Sequence, residues 1–390
     1  MMKTWPIITE KDKKRVMECL EEGRLWRGEG KYLLEFEKAF AKMHDTKYSL
    51  AVTNGTHALE IALAALNIGP GDEVLVPAYT FIATATAVLM RNALPIPVEV
   101  NKDNYCIDPM SIEEMITPRT KAIIPVHIAG HACNMEEIMR IARKHNLKVI
   151  EDCAHAHGSK FKDKPLGSFG DFGTFSFQAV KTMTAGEGGM LITNNEQLYH
   201  KAFSFFNCGR TIDGNPYDHT IISSNYRMSE IQAALLVGQI DRLDKQITYR
   251  YESVSYLNEK LLGIKGIVPQ IKENYAYKQG YSMYMFRYDG SQFKDVSKEK
   301  FIRILNEAGF EIRPTYPVFY ETSLFKNLYV DNKHLDLLEN KVDYKSFDFP
   351  NANMVSNNVL WLPHSFLLSD KARLDKFVDE IWKLKLEGTI

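Results

Sequence analysis

One lysine, set on a turn between two apolar runs, is the residue of this sequence best suited to covalent chemistry. It is Lys181, in Ser176-Phe177-Gln178-Ala179-Val180-Lys181, followed by Thr184-Ala185-Gly186-Glu187-Gly188-Gly189-Met190-Leu191-Ile192. A lysine condenses with an aldehyde only as the neutral amine, so such a residue must sit where desolvation and its neighbours lower its pKa. Phe172, Phe175 and Phe177 lead into the segment and would supply an apolar wall, while the glycine-rich turn lets the backbone approach a bound molecule closely. The plainer reading of a lysine beside glycines is a solvated turn residue.

Other segments could act with it. Glu151-Asp152-Cys153-Ala154-His155 closes an apolar strand, which places Asp152 at the carboxyl edge where open α/β sheets bind ligands. A carboxylate buried there needs a cation. The protonated nitrogen of pyridoxal phosphate would be one, and holding that proton makes the ring an electron sink. Alternatively, Asp152 caps the next turn and His155 is a satisfied core histidine. Asn54-Gly55-Thr56 joins a strand end to a helix start, so backbone N–H groups of Gly55 and Thr56 and the helix dipole can hold a phosphate; an ordinary N-cap is the alternative. Phe81, in Pro77-Ala78-Tyr79-Thr80-Phe81, follows another strand end and could stack on a flat cofactor or belong to the core. Ser176 could bond the same phosphate, and Asn225 is a polar group just before a long helix; either could be a simple cap.

These residues depend on the elements that carry them. Between about residues 48 and 193 short apolar runs alternate with amphipathic ones, the rhythm of strands and crossover helices. Strands are predicted at Tyr48–Val52, Glu73–Pro77, Leu94–Val100, Ala122–Val126, Lys148–Glu151, Phe172–Phe177 and Met190–Thr193, with helices between them such as Thr56–Leu66 and Glu136–His145. The fold class is α/β, a mostly parallel seven-stranded sheet with helices on both faces. The dozen residues joining the last two strands are too few for a helical crossover, so that pair is expected antiparallel, with Lys181 projecting from the connection. From Met228 to Glu259 one long helix is predicted to bridge two domains. Beyond it, strands at 281–289 and 359–362 and helices at Lys298–Ala308 and Asp370–Leu386 make a smaller α+β unit. The expected division is 1–245, a large domain that includes an N-terminal substrate-facing segment, and 246–390, a small C-terminal α+β domain.

In their order and spacing these motifs resemble the DegT/StrS-type sugar aminotransferases, a branch of the fold-type I enzymes that use pyridoxal phosphate. The match runs through Thr53 to Leu59, Pro77 to Phe81, Glu151 to Ala156, Ser176 to Gly189 and Asn225 to Ala234, and more loosely to the end. The resemblance implies that Lys181 forms the imine with the cofactor, Asp152 pairs with its ring nitrogen and Phe81 stacks on the ring. It further implies that Gly55, Thr56 and Ser176 hold the phosphate, that His155 faces the phenolic oxygen, and that Asn225 reaches the phosphate from a neighbouring subunit, hence a homodimer with shared active sites. The implied reaction moves an amino group from L-glutamate or L-glutamine to a keto-sugar or keto-cyclitol, with the freed lysine as general base and acid. Relatives that have histidine in place of this lysine dehydrate sugars instead, and Lys181 argues against that branch.

The segments that would face substrate depart from the commoner pattern of the family. Gly23-Arg24-Leu25-Trp26-Arg27-Gly28-Glu29-Gly30, Gln178 where histidine is frequent, and Trp361-Leu362-Pro363-His364 look most like members acting on scyllo-inosose-type cyclitols or on 3- or 4-keto sugars. Arg27, Arg313, Tyr316 and His364 are the candidates for binding substrate hydroxyls or the donor carboxylate, since arginine binds carboxylates bidentately. A surface arginine is otherwise just solvated.

Composition bounds the alternatives. In 390 residues, 48 basic against 49 acidic side chains give a net charge of −1, with no field to attract nucleic acid or an anionic membrane. Five scattered cysteines form no C-x-x-C pair, which argues against a disulfide framework or structural zinc site and for a reducing cytoplasm. The N-terminus lacks an apolar signal core and no run reaches the roughly 18 apolar residues of a membrane span. A metalloenzyme built on His127, His131, His155 and His157 is the first rival, weakened by Pro125 and Gly130 beside them; no metal is expected. The others are a non-catalytic protein that binds the cofactor and an enzyme of the same fold that dehydrates and aromatises its substrate.

Overall fold

The computed structural model describes residues 5–387. Seven apolar segments form the central sheet: β1 (Tyr48–Val52), β2 (Glu73–Pro77), β3 (Leu94–Val98), β4 (Thr120–Ile123), β5 (Lys148–Asp152), β6 (Phe172–Ser176) and β7 (Gly189–Thr193). Their order is β1-β7-β6-β5-β4-β2-β3. Only β7 runs against its neighbours, pairing antiparallel with β1 and β6, so the short connection after β6 behaves as its length requires. Every residue of β2, β3, β6 and β7 is buried, the signature of a sheet covered on both faces.

One strand end that differs from the sequence expectation has a clear reason. Pro125 has no N–H to give to a ladder, so β4 ends at Ile123 and the chain continues with a single bridge from Val126 to Asp152. The Pro125 carbonyl still accepts the Asp152 N–H at 2.9 Å, which ties the end of β5 to the neighbouring segment.

The long helix runs Glu230–Leu261 and starts where Ser229 and Gln232 form a capping box. Its first half packs Ala233, Ala234, Leu236 and Leu243 into the core of the central sheet, and its last turns place Val254, Leu257 and Leu261 in a second core. That second core is built on an antiparallel sheet of β8 (Ile267–Pro269), β9 (Met283–Tyr288), β10 (Arg313–Pro314) and β11 (Val359–Pro363), ordered β8-β9-β11-β10. Helices Lys298–Glu307 and Lys371–Glu387 cover it with Phe301, Leu305, Phe377 and Ile381. The two cores do not divide at one point of the chain. Between Val318 and Val359 the polypeptide returns to the first core, where the Tyr344 hydroxyl donates to the Pro95 carbonyl of β3 at 3.0 Å. No helix among the described residues is long and apolar enough to cross a membrane.

Gly189, at the head of β7, sits so close to the turn after β1 that a Cβ there would lie 2.3 Å from the Asn54 carbonyl oxygen. That oxygen belongs to the backbone just after β1, whose Val52 pairs with Gly189, and it cannot swing aside. Gly189→Ala should therefore cost about 1–3 kcal/mol of stability, measured as a lower denaturant midpoint at unchanged slope; a wild-type midpoint would show that the turn yields.

Candidate active site

Three strand ends converge on one cavity of about 540 Å³, whose wall includes Gly55, Thr56, Phe81, Asp152, His155, Ser176, Lys181, Arg313 and Tyr316. After β1, the Asn54 side chain caps helix Gly55–Ala65 by accepting the His57 N–H at 2.8 Å. That leaves the Gly55 and Thr56 N–H groups of the first turn for an anion. A Cβ at residue 55 would stand 2.8 Å from the Ser176 Cβ, so glycine is what allows this helix start and the end of β6 to approach. The Ser176 hydroxyl oxygen lies in the same cradle and accepts the Gln178 N–H at 3.4 Å.

Strand alternation sends the two carboxylates at the end of β5 to opposite sides. Glu151 turns inward and is held by the N–H groups of Gly167, Phe169 and Gly170 at 2.7–2.9 Å and by His127 Nε2 at 3.1 Å. Asp152 turns to the cavity. Its carboxylate accepts only the Thr84 hydroxyl at 2.9 Å and the Ala154 N–H at 3.1 Å, both neutral, and burial raises its pKa despite them. No salt bridge to Asp152 exists among the described residues.

Lys181 stands on the β6–β7 connection. Gln178 braces the turn through its side-chain oxygen to the Val180 N–H at 2.9 Å and its carbonyl to the Lys181 N–H at 2.9 Å. Gln239 of the long helix clamps Thr184 at both backbone atoms, 3.0 and 2.7 Å, and Thr182 meets His157 Nδ1 at 3.1 Å. Burial pulls the Lys181 amine down to about 8, with Asp152 pulling the other way. His155 is driven well below the usual histidine range by burial and then by Lys181. Its Nδ1 accepts the Ala129 N–H at 3.4 Å, which leaves Nε2 to carry the proton of the neutral ring. Phe81 is 53% exposed at the cavity mouth, edge-on to Tyr316 at 5.6 Å.

Of the other residues singled out by sequence, Arg313 and Tyr316 line this cavity, and His364 lines an adjoining one. Asn225 does not line it; the residue is exposed and accepts the Arg227 N–H at 3.1 Å. Arg27 is a correction: its guanidinium pairs with Glu37 and lies over Phe203 and Phe206, so it is part of the packing rather than of this chain's cavity. His127 and His131 are also engaged in protein hydrogen bonds, with Glu151 and with the Ala132 carbonyl. Among the described residues the group with metal-compatible spacing is His127, Glu151 and Cys153, fully buried, with the Glu151 oxygens already accepting those four N–H donors. Sequence reasoning passed over Thr84 and met Glu187 and Trp361 only within longer motifs, without a role of their own. Thr84 shows no local signal, because it reaches Asp152 from 68 residues away.

Together these features define the protein's class. A phosphate cradle at a helix start, an uncompensated carboxylate and a deprotonation-prone lysine are the three contacts that pyridoxal phosphate requires, so the residues present fit this cofactor. The chain belongs to the DegT/DnrJ/EryC1/StrS aminotransferase family, whose sequence pattern it matches over residues 6–381, and it is a pyridoxal-phosphate-dependent aminotransferase. It is similar to 3-amino-5-hydroxybenzoate synthase of Amycolatopsis mediterranei, with 36% identity over 95% of this chain and 94% of that one. L-glutamine:2-deoxy-scyllo-inosose aminotransferase of Micromonospora echinospora is 31% identical over 96% and 92%. GDP-perosamine synthase of Caulobacter vibrioides is 37% identical over 84% and 87%. The crystal structure of a 3-amino-5-hydroxybenzoic acid synthase superposes with a TM-score of 0.89 at 34% identity, covering 98% of each chain.

The lowered Lys181 pKa makes stability depend on pH in a defined direction. Between pH 8 and 10.5 the unfolded chain keeps a proton on this amine that the folded protein has released, so unfolding takes up protons and folded stability rises with pH across that window. Lys181→Met should flatten this rise for the cofactor-free protein, followed as denaturant midpoints from pH 7.5 to 10.5; a variant with the wild-type slope would mean the amine is not desolvated.

Proposed function

We propose that this enzyme transfers an amino group from L-glutamine or L-glutamate to the ketone of a polyhydroxylated six-membered ring, a keto-cyclitol or keto-sugar, in amino-sugar biosynthesis. The observation that carries the reading is the Lys181 amine, with its pKa lowered to about 8, in one cavity with an uncompensated Asp152. The similarity to an enzyme named for 2-deoxy-scyllo-inosose supports a cyclitol acceptor, and the similarity to GDP-perosamine synthase keeps nucleotide-linked keto-sugars in view. Five free cysteines are compatible with work in a reducing cytoplasm.

Bound in the cavity, pyridoxal phosphate supplies an aldehyde that condenses with amines and a ring that takes up the electron pair a departing proton leaves behind. The protein does the rest. Gly55, Thr56 and Ser176 would anchor the phosphate. Asp152 would keep a proton on the ring nitrogen, and Phe81 would cover the ring. His155, through Nε2–H, would donate to the phenolic oxygen. Lys181 Nζ, once released, takes the α-proton of the amino donor and returns it on the far side of the transfer; for the acceptor it works in the reverse sense. Arg313 and Tyr316 are placed to bind the donor carboxylate and acceptor hydroxyls.

Asn225 is assigned to the neighbouring subunit's phosphate, which makes the working unit a homodimer. Exposed Trp26, Ile221 and Ile222 are apolar surface that such a partner would cover.

The relative that synthesises 3-amino-5-hydroxybenzoate favours a second reading, loss of water with aromatisation of a cyclic precursor. It predicts an aromatic product without donor consumption.

Borohydride reduction of the holoenzyme followed by peptide mapping should place the pyridoxyl group on Lys181; a label elsewhere or nowhere overturns the reading. Lys181→Ala should abolish donor-dependent amination, and Asp152→Asn should weaken cofactor retention and slow turnover at least 100-fold, on the order of what a lost electrostatic contact costs. Wild-type kinetics in Asp152→Asn would refute the ring-nitrogen pairing. For the dimer, mixing Lys181→Ala with Asn225→Ala subunits should restore about a quarter of wild-type activity, because half the dimers then hold one complete site of two. No recovery on mixing would place both residues in one subunit's site.

A further inference from the structure

Adjoining the first cavity is a second one of about 490 Å³. It shares His155, Val180, Lys181, Arg313, Tyr316 and Trp361 with the first, so Lys181 belongs to the wall of both. The residues that distinguish it come from elsewhere: Trp5 from the N-terminal segment, Ser282 just before β9, and His364 just after β11.

Two atoms of this wall are unusual. Ser282 Oγ and His364 Nδ1 are buried without any hydrogen-bond partner in the protein, on residues only 5% and 1% exposed. Buried polar atoms are almost always paired, so two orphaned atoms on residues that line one cavity mark a place for a polar ligand. His364 is held neutral by burial and then by the nearby Arg250. Its orphaned Nδ1 needs a partner that can give or take a hydrogen bond, as a hydroxyl does. The Ser282 hydroxyl can give or take.

The remaining walls are flat and apolar. The Trp5 ring meets His364 edge-on at 4.3 Å, and its indole N–H donates to the Ala179 carbonyl at 3.0 Å, which sets it over the turn that carries Lys181. Trp361 is fixed by its N–H to the Pro314 carbonyl at 3.0 Å. A saturated ring with hydroxyls around its edge and C–H bonds on its faces satisfies all of these surfaces at once. A glutamate or glutamine side chain does not, because it ends in one planar polar group and offers no saturated ring to the flat walls.

We propose that this second cavity seats the ring of the amino acceptor, that Ser282 and His364 read two of its hydroxyl groups, and that Trp5 closes over its C–H face. The inference rests on the acceptor class proposed above. It makes Ser282 and Trp5 specificity-determining residues for the acceptor and not for the donor.

The test separates the two half-reactions of the holoenzyme by stopped-flow absorbance. L-glutamine is the donor; scyllo-inosose and 2-deoxy-scyllo-inosose are the acceptors. Ser282→Ala should raise the acceptor KM about tenfold, the weight of one buried hydrogen bond. Ser282→Thr, which keeps the hydroxyl, should recover most of it, and Trp5→Ala should raise the same KM. In both Ala variants the rise should exceed any change in the donor half-reaction. A second readout is titration of the product scyllo-inosamine against tryptophan fluorescence: wild type should show a saturable change that Trp5→Phe diminishes. If wild type turns over an inosose and the Ser282 and Trp5 variants match it, or if donor and acceptor steps lose equally, the assignment of this cavity fails while the proposed function stands. If wild type consumes donor but neither inosose accepts the amine, the cyclitol acceptor and this inference fall together. If wild type does not consume donor, the aminotransferase reading fails first.

Discussion

A buried carboxylate that has no salt bridge among the described residues governs this structure. Asp152 ends a central strand with its carboxylate turned into a cavity, and the protein gives it two neutral donors where a guanidinium would have neutralised it. Removing a carboxylate from water is costly, and neutral hydrogen bonds recover only part of that cost. The neighbouring Glu151 shows what full compensation looks like, since three backbone N–H groups and His127 converge on it. One step along the same strand, the chain satisfies one acid completely and leaves the next one short. A cationic group brought into the cavity would relieve the deficit at Asp152.

The same constraint explains why the lysine turn is so heavily braced. An amine whose pKa is depressed by burial returns to water if its backbone can move, and its pKa would rise again. Supports reach the turn from three directions. Gln239 comes from the helix that joins the two cores, His157 from the segment after β5, and Trp5 from the N-terminal strap. The position of Lys181 thus depends on the long helix and the N-terminal segment as well as on the strands it joins.

Much of the site could be read from sequence because its residues follow strand ends, where a short apolar run stops at a polar or glycine residue. Lys181, Asp152 and Gly55 each carry that local signature, and the dozen-residue connection after Ser176 fixed the one reversed strand by its length alone. What could not be read depended on distant partners. Arg27 was a candidate by type, yet Glu37, ten residues on along the next helix, takes its charge out of the site. Thr84, Ser282 and Trp5 have no periodic pattern and become meaningful only when the fold brings them to Asp152 or to the second cavity. The return of residues 318–359 to the first core was equally hidden, because that stretch consists of short turns whose apolar residues have no regular spacing.

The protonation states around the cavity then leave proton transfer to one group. His155 and His364 are held neutral, driven well below the ordinary histidine range by burial. Tyr316 is pushed up to about 12, by burial first and by Asp152 second, and keeps its proton. A general base works best when its pKa lies near the operating pH. Lys181, at about 8, is the one of these that meets the condition. The surrounding histidines and tyrosine can donate or accept hydrogen bonds without competing for a migrating proton.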